Sequence, residues 1–172
     1  MTVAVYPGTF DPITLGHVDV AQRGLRLFEH IVIGIATNPN KQPAFDHATR
    51  LSMAQETFAD EPRVEVAGFG GLLIDFARQH HAGAILRGLR AASDFEYEFQ
   101  MATMNRRLDA TIETAFVMAR EDYTFVSSHF IREISAMGGD VSSLLPEPAL
   151  RRMKNTEITS DFPDSGVEKS PH

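Results

Sequence analysis

The hydrophobic positions along the chain change their period several times. Residues 2–6 (TVAVY) form a short β-prone run that stops at Pro7-Gly8. From His17 to Phe28 the apolar residues Val18, Ala21, Leu25 and Phe28 recur every three or four positions, which predicts one face of a helix. Residues 31–36 (IVIGIA) are apolar throughout, as in a parallel strand covered on both faces. The alternation then continues. The patterns predict a helix over 47–59, a strand over 63–67, and a helix over 71–81 with Leu73, Phe76 and Ala77 on one stripe. Brief strands are predicted over 84–86 and 113–119, and a helix over 128–137 that a glycine C-cap at Gly138-Gly139 would end.

One segment carries two periods. Phe95, Tyr97, Phe99 and Met101 alternate as in a strand, whereas Tyr97, Met101, Met104 and Leu108 repeat at helical spacing. The helical pattern spans more of 94–108, which is long for a strand, so a helix is predicted.

Strands alternating with helices imply an α/β fold. The expectation is one Rossmann-like, doubly wound domain over residues 1–154, with a parallel five-stranded sheet and helices on both faces. Ligands on such sheets bind beyond the carboxyl ends of the strands, near a switch in strand order. There is no internal repeat. Residues 155–172 are polar, include two prolines and show no clean period, so a flexible or weakly docked tail is expected, with folding onto a partner as the alternative. Its four acids and one base carry −3 of the chain's formal charge of −7.

Composition narrows the function classes. The 172 residues contain no cysteine, which removes disulfides, thiolate zinc sites and a cysteine nucleophile. A pI near 5.4 argues against a general nucleic-acid partner. No apolar run approaches the ~20 residues that span a bilayer. The opening MTVAVYPGTF lacks the regions of a secretory signal, so a cytoplasmic location without membrane attachment is expected.

The loop after the first strand concentrates the chemistry. It reads Tyr6-Pro-Gly-Thr-Phe-Asp-Pro-Ile-Thr-Leu-Gly-His17. Gly8 lets backbone approach a ligand closely, and Thr9 offers a hydroxyl and an amide. Gly16 and His17 lie where a helix begins, where free amides and the helix dipole favour phosphate. His17 adds a donor that can be cationic. Thr14 is placed to cap the helix or to touch the ligand. After the second strand comes Asn38-Pro-Asn-Lys41-Gln-Pro43, and after the fourth Arg87-Gly-Leu-Arg90, then Asp94-Phe-Glu-Tyr-Glu98 and Met104-Asn-Arg106. Tyr123-Thr-Phe-Val-Ser127-Ser128 follows the fifth. Two guanidinium groups directly after a strand suit bidentate phosphate contacts, although Asp94 and Glu96 offer them surface ion pairs instead. By type alone Lys41 fits a solvated lysine, Leu73 fits core, and Glu98 fits a solvated helix acid. His80-His81 fits a helix C-terminus better than a metal site, and His30, His47 and His172 show no ligand spacing.

Taken in order, these strings resemble the bacterial phosphopantetheine adenylyltransferases of the nucleotidylyltransferase superfamily, over about residues 3–148. The resemblance implies transfer of the adenylyl group of ATP to 4′-phosphopantetheine, giving dephospho-coenzyme A and pyrophosphate. It assigns His17, Lys41 and Thr9 to catalysis. It assigns ATP to Thr9, Phe10, His17, Gly88, Leu89, Arg90 and Glu98, and to the loop of Tyr123, Thr124, Phe125, Val126, Ser127, Ser128 and His129. It assigns the acceptor to Thr9, Lys41, Leu73 and Arg87. His129 departs from the Ser or Thr usual there, and Arg132 fits the basic position that follows. The resemblance also implies Mg²⁺ carried on the ATP phosphates and water rather than in a protein cage, a homohexamer, and feedback inhibition by coenzyme A. A relative using another phosphorylated acceptor, such as nicotinamide mononucleotide, or a nonenzymatic nucleotide sensor, shares the Thr9-to-His17 logic.

Overall fold

The computed structural model describes residues 2–37, 42–90 and 92–156, apart from the side chains of Ala92 and Ser93. Five strands appear in chain order: β1 (Val3–Gly8), β2 (His30–Ala36), β3 (Val64–Phe69), β4 (Ala84–Leu89) and β5 (Glu113–Met118). Between and after them run α1 (Leu15–Gly24), α2 (His47–Thr57), α3 (Leu73–Gln79), α4 (Ala92–Leu108), α5 (Ser128–Ala136) and α6 (Glu147–Asn155). The sheet is parallel throughout, in the order β3-β2-β1-β4-β5. This is the expected doubly wound α/β fold.

Side-chain alternation splits the core into two layers. Ala4, Tyr6, Ile31, Ile33, Ile35 and Leu86 face Val20 and Ala21 of α1, Met53 of α2, Ile131 of α5 and Met153 of α6. Val5, Val32 and Ile85 point the other way, onto Ile74, Phe76 and Ala77 of α3. The all-apolar run 31–36 thus has the physical cause inferred for it, because both of its faces are covered.

The switch in strand order falls between β1 and β4. β1 and β2 stay in register from Val3–His30 to Gly8–Ile35. β1 and β4 pair at Ala4–Ala84 and Val5–Ile85, and the register goes no further among the described residues. The two strands splay toward their carboxyl ends, which opens the crevice expected at a switch point.

β1 runs through Gly8 and β4 through Leu89, so Arg87 lies within its strand rather than after it, and three further elements differ from the sequence pattern. α1 ends at Gly24 rather than Phe28, and residues 25–27 form a turn. A Cβ at Gly24 would sit 2.5 Å from Leu86 and 2.7 Å from Ile31, so the helix touches the sheet there through bare backbone. α4 is a helix, but much of its apolar stripe faces outward. Tyr97 is 62 % and Phe99 57 % exposed, while Glu98 and Asn105 are buried. α6 was not foreseen. It is a short polar helix with two buried positions one turn apart, Ala149 and Met153, and Arg151 and Arg152 reach Glu56 of α2. At the end of α5, Gly138 has φ +82°, the Gly138 N–H donates to the Ser135 carbonyl, and the Gly139 N–H donates to that of Ile134. This is the glycine cap read from the sequence.

Met153→Ala would empty the contact that seats α6 on α2. A loss of about 2–4 kcal/mol is expected, read as a lower urea midpoint, and an unchanged midpoint would show that α6 contributes nothing to stability.

Candidate active site

Thr14 starts α1, and its hydroxyl oxygen accepts the His17 N–H at 3.3 Å. The His17 Nδ1 accepts the Thr14 N–H at 3.0 Å, completing a capping box with histidine at N3. That bond occupies the Nδ1 lone pair, so the proton of the neutral ring sits on Nε2. His17 also lines the cavity beside β1, with its ring packed edge-on against Phe10. Burial, then the charges of Arg90 and Arg87, push its pKa down to about 4. Near neutral pH His17 is therefore a neutral N–H donor, and the cationic form that the sequence also allowed is disfavoured.

Buried charges hold the preceding loop. Asp11 accepts the Ala44 N–H and the Phe45 N–H, both at 2.9 Å. Arg132 of α5 lies 3.3 Å from the Asp11 carboxylate and donates to the Asp11 carbonyl. The Ser128 hydroxyl donates to the Pro12 carbonyl at 2.8 Å. From the opposite side the fully buried Arg50 donates to the carbonyls of Thr9, Ala36 and Phe45 at 2.6, 3.1 and 3.0 Å. Phe10 between them has φ +49°, a strained value for a bulky residue. Sequence reasoning gave Asp11 and Arg50 no role. The partners of Asp11 lie 33 or more residues away, and Arg50 reaches back 14 residues to Ala36 and 41 to Thr9, so no local spacing reveals either role.

Two adjoining cavities lie over the splayed strand ends. The first, of about 450 Å³, is bordered by Phe10, His17, Gly88, Arg90, Glu98 and the Tyr123 loop, from which Val126 and Ser128 also line it. The second, of about 380 Å³, is bordered by Thr9, Leu73 and Arg87 together with Met101 and Asn105. Gly8, Arg87 and Glu98 belong to both. At this junction the Arg87 Nε donates to Glu98 at 2.7 Å, Nη2 donates to the other carboxylate oxygen, and Nη1 donates to the Pro7 carbonyl at 2.9 Å. Arg90 pairs with Asp94 at 3.1 Å, on the rim of the first cavity. Both arginines are thus ion-paired and also face the crevice.

The remaining sequence-predicted residues fall elsewhere. Lys41 and His172 lie outside the described residues. Leu89, Thr124, Phe125, Ser127 and His129 line neither cavity. The Ser127 hydroxyl caps α5 by accepting the Phe130 N–H at 3.1 Å, and the Thr124 hydroxyl donates to the Glu121 carbonyl. His129 is exposed and pairs with Glu133 at 3.1 Å. His80 packs on Phe76 and His47 bonds the Ile35 carbonyl, so both are engaged structurally. Among the described residues no group of three or more His, Asp or Glu is placed to hold a metal ion.

Comparison with known proteins agrees with this geometry. The cytidylyltransferase-like family model matches residues 5–134. The phosphopantetheine adenylyltransferase of Thiobacillus denitrificans is 53 % identical over 153 residues, covering 89 % of this chain and 96 % of its own. That of Methylococcus capsulatus is 55 % identical over 143 residues, covering 83 % and 88 %.

The lowered pKa of His17 has a direct consequence for stability. Between pH 6.5 and about 4 the unfolded chain binds a proton at this residue that the folded chain does not. Stability is therefore full above about pH 6.5 and falls with acidification, by up to about 3 kcal/mol from this group. His17→Gln keeps an N3 acceptor for the Thr14 N–H but cannot titrate, so its acid-side slope should be shallower. Urea unfolding of both chains at neutral and mildly acid pH measures the difference, and identical slopes would refute it.

Proposed function

The chain belongs to the cytidylyltransferase-like nucleotidyltransferases, and within them to the phosphopantetheine adenylyltransferases, and we infer that it catalyses ATP + 4′-phosphopantetheine → dephospho-coenzyme A + pyrophosphate, the penultimate step of coenzyme A synthesis. The observation that carries this reading to individual residues is the pair of adjoining cavities that share the Arg87–Glu98 junction. One suits a nucleotide and the other a phosphorylated acceptor, with their reacting ends meeting beside Gly8.

The chemistry asks little of side-chain acids and bases. The attacking group is a phosphate oxygen that is already anionic near neutral pH, so no general base is required to create it. It attacks the α-phosphorus, the new P–O bond forms, and the bond to the β-phosphate oxygen breaks in line to release pyrophosphate. The protein's work is to align the two phosphates and to stabilise the charge between them. His17 donates its Nε2–H to the ATP phosphates. The first amides of α1 and α5 add donors that follow the helix dipoles. Thr9 and Phe10 present amides, and Thr9 a hydroxyl, at the junction. Arg87 meets the acceptor phosphate, Lys41 joins it there, and Leu73 lines the path of the pantetheine arm. Arg90 and Gly88 face the nucleotide. Mg²⁺ would accompany ATP, held by its phosphates and water, and would neutralise charge on the triphosphate.

The same reading places the protein in the cytoplasm, and no helix among the described residues is long and apolar enough to cross a membrane. It also makes the protein a homohexamer that coenzyme A inhibits by entering the acceptor cavity. The outward apolar stripe of α4, from Phe95 through Phe99 and Met104 to Leu108, supports self-assembly over a free monomer. No nucleic-acid partner belongs to this reading.

The test is pyrophosphate release from MgATP with 4′-phosphopantetheine, nicotinamide mononucleotide, glycerol 3-phosphate and unphosphorylated pantetheine, with product masses recorded. Dephospho-coenzyme A should form from 4′-phosphopantetheine alone. Transfer to another acceptor would overturn the acceptor assignment. His17→Ala should lower turnover on the order of 10²–10³-fold, the usual effect of losing one donor to a developing charge, and full activity would remove His17 from the mechanism.

A further inference from the structure

Asp11 is 5 % exposed and lies where three parts of the site meet. Its carboxylate accepts the N–H groups of Ala44 and Phe45, three and four residues after Lys41. Arg132, on the helix that follows the Tyr123 loop, grips both its carboxylate and its carbonyl. Thr9 and Phe10 immediately precede it, and Thr9 borders the acceptor cavity while Phe10 borders the nucleotide cavity. The residue touches neither cavity itself.

A buried carboxylate with two backbone amides and a guanidinium has fixed directions for every bond it makes. We propose that Asp11 is a positioning residue for adenylyl transfer: it sets the Thr9–Phe10 turn, and with it the alignment of the two reacting phosphates, against the acceptor-side segment at Ala44–Phe45 and the nucleotide-side helix at Arg132. The proposal rests on the adenylyltransferase reading above. The fold does not need Asp11 for this turn to exist. Arg50 still holds the Thr9 carbonyl and Ser128 still holds that of Pro12. What Asp11 adds is the link between the two halves. Arg87, Arg90 and His17 sit on other elements and keep their binding contacts without it.

Asn in place of Asp11 has the same shape but turns one acceptor oxygen into an NH₂ donor. In either flip one backbone N–H loses its acceptor and a donor faces a donor. Asp11→Asn should therefore lower kcat on the order of 10²-fold, the scale of a small misplacement of reactants, with KM for ATP and for 4′-phosphopantetheine changed by no more than about threefold. Arg132→Gln removes the other side of the same link and should lower kcat as well. Arg132→Lys should recover much of it, and the Asp11→Asn/Arg132→Gln pair should be no worse than Asp11→Asn alone.

The assay is steady-state dephospho-coenzyme A formation by the full chain, per folded site, with circular dichroism melts alongside. Wild-type activity fixes the underlying reading, so an inactive wild type refutes that reading, whereas an active wild type with a fully active Asp11→Asn variant refutes the proposal. A lower melting midpoint with unchanged kcat per folded site would make Asp11 purely structural and also overturn it. If Asp11→Asn does not fold, the Arg132 variants decide. A kcat loss in Arg132→Gln with recovery in Arg132→Lys supports the link, while a loss confined to KM for ATP makes Arg132 a nucleotide ligand and sinks it.

Discussion

Two buried charges of opposite sign hold the β1–α1 loop, and the site depends on them. At the carboxyl ends of parallel strands the backbone leaves carbonyls and amides without sheet partners, and buried ones must be satisfied. Arg50 supplies donors to three such carbonyls, at Thr9, Ala36 and Phe45. Asp11 supplies acceptors to two amides, at Ala44 and Phe45. A guanidinium presents only donors and a carboxylate only acceptors, so each satisfies what the other cannot. Burying either charge alone would be costly, but each is fully engaged and the pair is complementary. The strained φ of Phe10 persists because both of its neighbours are held. α1 leaves the sheet from the same loop, and its own Thr14–His17 capping box fixes the histidine ring.

The electrostatics of the crevice suit an anionic reactant in an acidic protein. The chain carries −7 overall, yet Arg87, Arg90 and the amide-rich ends of α1 and α5 converge on one opening. Neither arginine waits unpaired. Glu98 orients Arg87 and Asp94 holds Arg90, so the guanidinium planes are set before any phosphate arrives. Glu98 thus borders both cavities, a position that its type and place in the sequence did not distinguish. Burial, and after it the two cations, keep His17 neutral, and an arriving triphosphate would oppose the share that the cations supply. A neutral donor that gains strength as negative charge develops is well matched to a reaction whose nucleophile needs no base.

Much of this was legible in the sequence, and the remainder has identifiable physical causes. Strand and helix periods gave the five strands, five of the helices and the parallel sheet, because burial on one or two faces leaves a direct periodic trace. The string from Tyr6 to His17 gave the loop, the Thr14 cap and the histidine, since capping and close backbone approach demand particular residue types at fixed offsets. α6 escaped because it buries just Ala149 and Met153, too few positions to make a period. Asp11 and Arg50 escaped because the contacts that tie them to the loop, Asp11 to Ala44 and Phe45 and Arg50 to Thr9, join residues distant in sequence. Ser127 is engaged as a cap and His129 with Glu133, so a string that marks a binding loop does not say which of its side chains reach the ligand.

The double period in α4 has a structural origin of its own. An ordinary surface helix turns its apolar residues to the sheet and its polar ones to water. Here Glu98 and Asn105, seven residues apart on one face, are buried beside the two cavities, while Phe95, Phe99 and Met104 are exposed and line neither. The inward positions are polar because they border a ligand site. The outward positions are apolar, which suits the contact with another copy proposed above. Neither choice serves the packing of this chain alone, so the pattern no longer reports a single buried stripe and the residues 95–101 pass for a strand. The ambiguity in the sequence thus has a physical cause: a helix that is polar toward a crevice and apolar toward its exposed side carries no single buried stripe, and its periodicity identifies neither side until the fold shows which is which.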